Sequence, residues 1–158
     1  MERKMKRVSD SMTKQIQIVM PEHINGYGRL FGGQLVAWID VVAAVVARRH
    51  CNHEVTTVCV DNLVFQSAAH ANDTMVLVGT MTYVGNTSME VRVDTYVEEL
   101  DGDRALVNRA YLVMVALDAN ERPLQVPGLI VETEEERLQW EAGKRRSELR
   151  KKRREEQF

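Results

Sequence analysis

The chain has 158 residues, 44% hydrophobic, 28% charged and 6% aromatic, with 9 Gly and 3 Pro. That suffices for one domain with its own core and excludes a collagenous, disordered or disulfide-framed chain. The formal net charge of -2 hides an uneven distribution: four of 21 basic and one of 23 acidic residues lie in 1–7, eight and four in 141–158, leaving 9 basic against 18 acidic, about -9, in the body.

The N-terminal MERKMKR runs into SDSMTKQ with no apolar stretch, so neither a secretory signal nor a membrane span is expected. With no such signal, Cys51 and Cys59 point to a reduced, cytoplasmic protein. Residues 15–20 alternate like a strand and stop at Pro21. A loop carrying His23, Asn25, Gly26 and Gly28 follows, and Leu30-Phe31-Gly32-Gly33 opens a helix predicted to end near His50. Leu35, Trp38, Ile39, Val42 and Val46 recur at helical spacing, and Val36, Ala37, Val41 and Ala44 make the other faces apolar too. Such a helix must be surrounded by protein. Arg48 and Arg49 suit its C-terminal dipole.

Residues 55–66, 74–84, 87–100 and 104–118 read as four strands, separated by Asp, Asn and Gly clusters. In the third, Met89, Val91, Val93, Thr95 and Val97 alternate with Ser88, Glu90, Arg92, Asp94 and Tyr96, so one face is buried and the other partly wet. A strand, a buried helix and four closely connected strands predict an α+β fold: a largely antiparallel β-sheet wrapped around one long central helix. Beyond Pro123 and Pro127, Thr133 with Glu134, Glu135 and Glu136 forms a capping signature for a last helix reaching about Glu155. Leu138, Trp140 and Leu149 are its only large apolar residues, so it is expected to be solvated along most of its length and frayed at the end.

Asp40 conflicts with its surroundings. An ionised carboxylate inside a buried helix costs several kcal/mol unless it is hydrogen-bonded, paired or facing a ligand cavity. The free N–H groups at Gly32 and Gly33 can receive a negative oxygen, although a tight loop-to-helix turn would use the same glycines. Asp40 lies about 10 to 12 Å further along the same helix. One helix cannot place both ends on a single reacting carbonyl, which favours a site assembled from two chains, with His23 and Asn25 presented across a two-fold interface to the partner's Asp40. Asn before Gly also serves a turn, and His23 suits loop packing. The segment Gly85-Asn86-Thr87-Ser88 reads as a hairpin with free amides and hydroxyls, and Arg92 as either a phosphate partner or an ion-pair member. The four His and two Cys show no metal-ligand spacing.

His23-Ile24-Asn25, Gly28, Leu30-Phe31-Gly32-Gly33, Trp38-Ile39-Asp40, Phe65, residues 84–89, Val115-Ala116-Leu117-Asp118 and Val126-Pro127 together resemble the motif series of the acyl-CoA hydrolase (acyl-CoA thioesterase) family of hotdog-fold proteins. The resemblance covers about residues 12–135, with Ile24 where the family usually has Ala. It implies a hotdog domain at 8–135 followed by a charged, basic C-terminal helix or tail at 136–158. It also implies sheets joined edge to edge in a dimer, the thioester at the dimer interface, and a trimer of dimers, hence a homohexamer. By this resemblance Asn25 and Asp40 act together from opposite subunits. The chemistry of a thioester then predicts that Asp40 activates water or attacks directly, that the N–H groups of Gly32 and Gly33 of the facing chain stabilise the oxyanion, and that Asn25 orients the water or the carbonyl. His23, Gly85, Thr87, Ser88 and Arg92 are the expected contacts to substrate and CoA, and Arg29, Arg92 and Arg109 the candidates for its phosphates. No metal or separate cofactor is expected, coenzyme A being part of the substrate. Two other readings stand beside hydrolysis: an acyl-CoA-binding regulatory protein, and a hotdog dehydratase or hydratase using His23 and Asp40. The acidic body argues against nucleic acid as a partner, and the lack of a span against a membrane.

Overall fold

The computed structural model describes residues 2–158. Strand β1 (Met5–Arg7) leads through a 3-10 turn to β2 (Thr13–Ile18), and a second 3-10 turn, Pro21–His23, precedes α1 (Gly32–Cys51). Four long strands follow: β3 (Glu54–Phe65), β4 (Thr74–Val84), β5 (Ser88–Glu98) and β6 (Arg104–Leu117). The chain continues through β7 (Gly128–Ile130) to α2 (Glu134–Glu155). The main sheet has the order β2-β4-β5-β6-β3 and is antiparallel throughout, as the strand patterns predict. The short parallel pair β1 with β7 is a further element that sequence patterning does not reveal.

Helix α1 lies across the inner face of the sheet because its apolar stripe and the inward positions of β4, β5 and β6 bury one another. Ile39, Val42, Ala43 and Val46 meet Met75, Leu77, Met89, Val91, Leu112 and Met114 in one core. Gly79 makes the close approach possible: a Cβ there would stand 2.7 Å from side-chain carbons of Val42 and Val46. Register breaks at 57/59, 61/64, 81/83 and 95/96 let the long strands curl around the helix. The helix ends where Asn52 adopts a left-handed conformation, φ 58°.

Two expectations change. Helix α1 is not covered on every side: Gly33, Ala37 and Val41 are exposed, Val41 by 55%. Edge strand β3 beside it exposes Val58 by 58% and Phe65 by 51%. An apolar helix face and an apolar sheet edge are therefore open together. Nor is α2 solvated along its length. It docks on the outer face of the sheet, with Trp140 against Tyr83 at 4.5 Å between ring centres and Gly143 so close that a Cβ would stand 2.7 Å from that of Tyr83. Arg146 makes two hydrogen bonds to Glu90, of 2.8 and 3.1 Å, and stacks over Tyr111, while Arg150 bonds both Asp61 and Glu90 at 3.0 Å. Residues 140, 143, 146 and 150 do follow helical spacing, but the stripe consists of Trp, Gly and Arg, which a hydrophobicity reading scores as solvent-facing.

Candidate active site

Asn25 organises the loop before α1. Its Oδ1 accepts hydrogen bonds from the backbone N–H of Tyr27 (2.9 Å) and Arg29 (3.2 Å), and its own N–H donates to the Arg29 carbonyl (2.8 Å). That is the local turn that Asn favours. With Oδ1 committed, the functional capacity left on Asn25 is the Nδ2 donor. His23 anchors the loop base: its Nδ1 accepts the N–H of Met20 at 3.0 Å, and its ring stands edge-on to Trp38 at 4.9 Å. The structure thus gives His23 a packing role.

The first intrahelical bonds of α1 run from Gln34 and Leu35 to the Phe31 carbonyl, at 3.0 and 3.2 Å. The N–H groups of Gly32 and Gly33 precede them and have no acceptor among the described residues, leaving two aligned donors at the positive end of the helix. Asn25, Arg29, Gly32, Leu35, Phe65 and Val107 contribute to the wall of a cavity of about 420 Å³. One chain therefore brings Asn25 to the glycine turn.

Asp40 stands apart from that cavity. It is half-buried at the border of the uncovered face of α1, and its Oδ1 accepts a hydrogen bond from Thr57 Oγ1 at 2.7 Å. Oδ2 has no partner among the described residues. Gly32 is eight residues away along the helix, about 12 Å. The sequence expectation that one chain separates the two ends of the site agrees with this placement. Thr57 is invisible to sequence patterning, because a threonine in a strand rich in Val and Thr carries no signal of its own.

The remaining candidates lie elsewhere. Gly85, Thr87 and Ser88 form the turn between β4 and β5, where Gly85 N–H donates to the Ser88 carbonyl at 2.9 Å and Asn86 is bonded by Gln125 at 3.0 Å. Across the sheet, Ser88 is in register with Val115, which faces Thr56 of β3, so this turn is at the Thr57 end of the sheet. Arg92 is on the outer face of β5, 3.3 Å from Asp94, which Arg109 grips at 2.6 Å. The hydrogen bond that Arg109 donates to Asp94 holds the Arg109 pKa above its ordinary value.

The thioesterase superfamily model matches residues 27–101. An acyl-CoA thioester hydrolase of Bacillus subtilis, described as uncharacterized, is 38% identical over 136 residues, covering 85% of this chain and 79% of its own. The chain belongs to the acyl-CoA thioester hydrolase family. A cytosolic family member from Homo sapiens is 34% identical over 143 residues, and this chain spans 37% of its length. Among solved structures, an apo-hexameric acyl-CoA thioesterase superposes with a TM-score of 0.91 at 39% identity, covering 95% of this chain and 97% of its own. An acyl-CoA hydrolase from Staphylococcus aureus, in complex with butyryl coenzyme A, coenzyme A and coenzyme A disulfide, gives 0.92 at 33% identity, covering 97% and 94%. That hydrolase has also been solved with alanine in place of an aspartate, an asparagine or a threonine.

Proposed function

We propose that this protein hydrolyses acyl-CoA to a carboxylic acid and free CoA at a site shared between two chains. The observation that carries the reading is the half-buried carboxylate of Asp40, held by Thr57 with one oxygen open, on the uncovered face of an otherwise apolar helix. The substituted asparagine, aspartate and threonine of the S. aureus hydrolase are spaced by 15 and 17 residues, and so are Asn25, Asp40 and Thr57.

An antiparallel pairing of two β3 edges completes the site. A two-fold axis near the middle of the strand lays the Thr57 end of each β3 against the Phe65 end of the other, bringing the Asp40 of one chain towards the Asn25 and Gly32 of its partner. Asp40 Oδ2 takes a proton from a water, whose oxygen adds to the thioester carbonyl carbon. The carbonyl oxygen becomes an oxyanion, stabilised by the N–H groups of Gly32 and Gly33 and by Asn25 Nδ2, each donor worth about 3 to 4 kcal/mol. Collapse of the adduct breaks the carbon–sulfur bond, and the departing thiolate of CoA recovers the proton from Asp40.

Two features disfavour the other readings. A hydratase would need His23 as an acid–base, but its Nδ1 is engaged by Met20 and its ring abuts Trp38. A regulatory protein reaching nucleic acid through its basic helix would have fewer cations than the sequence suggests, since α2 commits Arg146, Arg150 and Arg153 to Glu90 and Asp61, and it would still carry the repulsion of the acidic body. A second exposed apolar stripe, Ile16 and Ile18 on the opposite edge strand β2 with Met20 just beyond it, suits contact between dimers and so a hexamer, which light scattering in solution would measure. A cytoplasmic location accords with two free cysteines and a cytosolic relative, and among the described residues no helix is long and apolar enough to cross a membrane.

Asp40→Asn tests the mechanism. Free thiol release from acyl-CoA should fall about 100-fold or more in kcat, with KM little changed. Hydrolysis at the unsubstituted rate would remove Asp40 from the mechanism.

A further inference from the structure

The charge on the body poses a problem for the substrate. CoA is a polyanion, and a body near -9 repels it unless a cation stands free at the cleft. Most arginines are already engaged. Arg92 and Arg109 share Asp94, and Arg146 and Arg150 are held by Glu90 and Asp61. Arg48, Arg104 and Arg137 pair with Glu54, Glu98 and Glu134. Among the described residues the guanidinium of Arg29 has neither a hydrogen bond nor a carboxylate within 4.0 Å, and Arg29 is the arginine that lines the Asn25 cavity.

The backbone around Arg29 is fixed. Its N–H and carbonyl both bond Asn25, and it bridges His70 in antiparallel register. The loop that leaves the Asn25 Nδ2 donor free therefore also sets the starting direction of the Arg29 side chain. Beyond the cavity, Asn25, Tyr27 and Arg29 line a shallow groove of about 420 Å³ that shares two residues with it. Tyr27 is 90% exposed although its N–H is pinned by Asn25, so a large exposed aromatic side chain lines the same groove as a free guanidinium. A cation and an aromatic ring lining one groove suit a phosphate joined to a purine: charge-assisted hydrogen bonds for the one and stacking for the other.

We propose that Tyr27 and Arg29 hold the nucleotide end of CoA, with Arg29 pairing with phosphate and Tyr27 stacking on adenine. The proposal rests on the thioesterase reading and adds to it the residues that recognise the CoA carrier. It implies that kcat/KM depends on the carrier through this loop, and that part of the ionic-strength dependence of KM comes from one arginine.

The test compares a short acyl-CoA with the same acyl group on N-acetylcysteamine, a thioester without phosphate or adenine. Arg29→Glu should lower the ratio of kcat/KM for the CoA substrate to that for the truncated one by about tenfold or more, mainly through KM of the CoA substrate. Arg29→Gln should do so less, and Tyr27→Leu should lower the same ratio by about three- to tenfold. An unchanged ratio in Arg29→Glu overturns the proposal, whether both rates fall together or neither moves. If the unsubstituted protein hydrolyses neither substrate, the thioesterase reading itself fails, a result distinct from an unchanged ratio.

Discussion

Thr57 shows how one hydroxyl can govern a carboxylate. Its 2.7 Å hydrogen bond to Asp40 Oδ1 restrains the side chain and leaves Oδ2 without a partner among the described residues. Thr57→Val keeps the shape and removes the donor. Hydrogen bonds to charged groups are worth about 1.5 to 3 kcal/mol, so kcat should fall by about 10- to 100-fold with KM changed far less, as steady-state kinetics would show. An unaltered kcat would mean that Asp40 is positioned by something else. At this scale the sequence is uneven as a guide. Asp40 is legible because a charge inside an apolar helix contradicts its neighbours, whereas the loop alone explains Asn25 as a turn residue and only its place in the motif series marks it as a candidate. Which end of the Asn25 amide is free, and which strand hydroxyl reaches Asp40, depend on distances that no spacing encodes.

Among the elements, α2 departs furthest from its sequence pattern. Its extent was legible from the Thr133 cap, which accepts the Glu136 N–H at 3.1 Å, and its docking was not, because the contact surface is built of charge. Glu90 is 1% exposed and receives Arg146, Arg150 and Thr82. Glu90→Gln leaves Arg146 without its carboxylate and Arg150 with Asp61 alone, and should cost about 3 to 5 kcal/mol in urea unfolding, since breaking a buried ion pair strands its partner. A loss under 1 kcal/mol would show that α2 contributes little to the fold. The β1/β7 pair escaped sequence reading because three-residue strands have no period to detect. It is tied to α1 by His50, whose Nε2 lies 2.8 Å from the Pro127 carbonyl while the buried Nδ1 has no partner among the described residues. Burial lowers the His50 pKa below its ordinary 6.5, so the folded state favours the neutral ring. The unfolded chain then binds more protons below about pH 6.5, and this contribution to stability, fully present above that pH, is lost as pH falls through 6.5 towards the depressed native value. The fall in Tm between pH 7.5 and 5.5 should be smaller in His50→Gln than in the unsubstituted protein.

The whole molecule is unfinished as a single chain. An apolar helix face, a long open sheet edge at β3 and a second stripe at β2 are surfaces that a monomer would have to leave in water. The general architecture was legible because strand and helix periods differ, whereas the uncovered side of α1 was not, since a hydrophobic pattern tells that a face is buried and not which chain buries it. The roughly 12 Å of helix between Gly32 and Asp40 has a genetic consequence. In the proposed two-chain site, loss of Asp40 and loss of the Asn25 donor damage different halves, so the two defects should complement. Asp40→Asn and Asn25→Asp proteins, each inactive alone, should recover up to about a quarter of normal activity when refolded together in equal amounts: half of the dimers are mixed, and each mixed dimer restores one of its two sites. Two alleles that each fail alone would then support growth or turnover when present in the same cell.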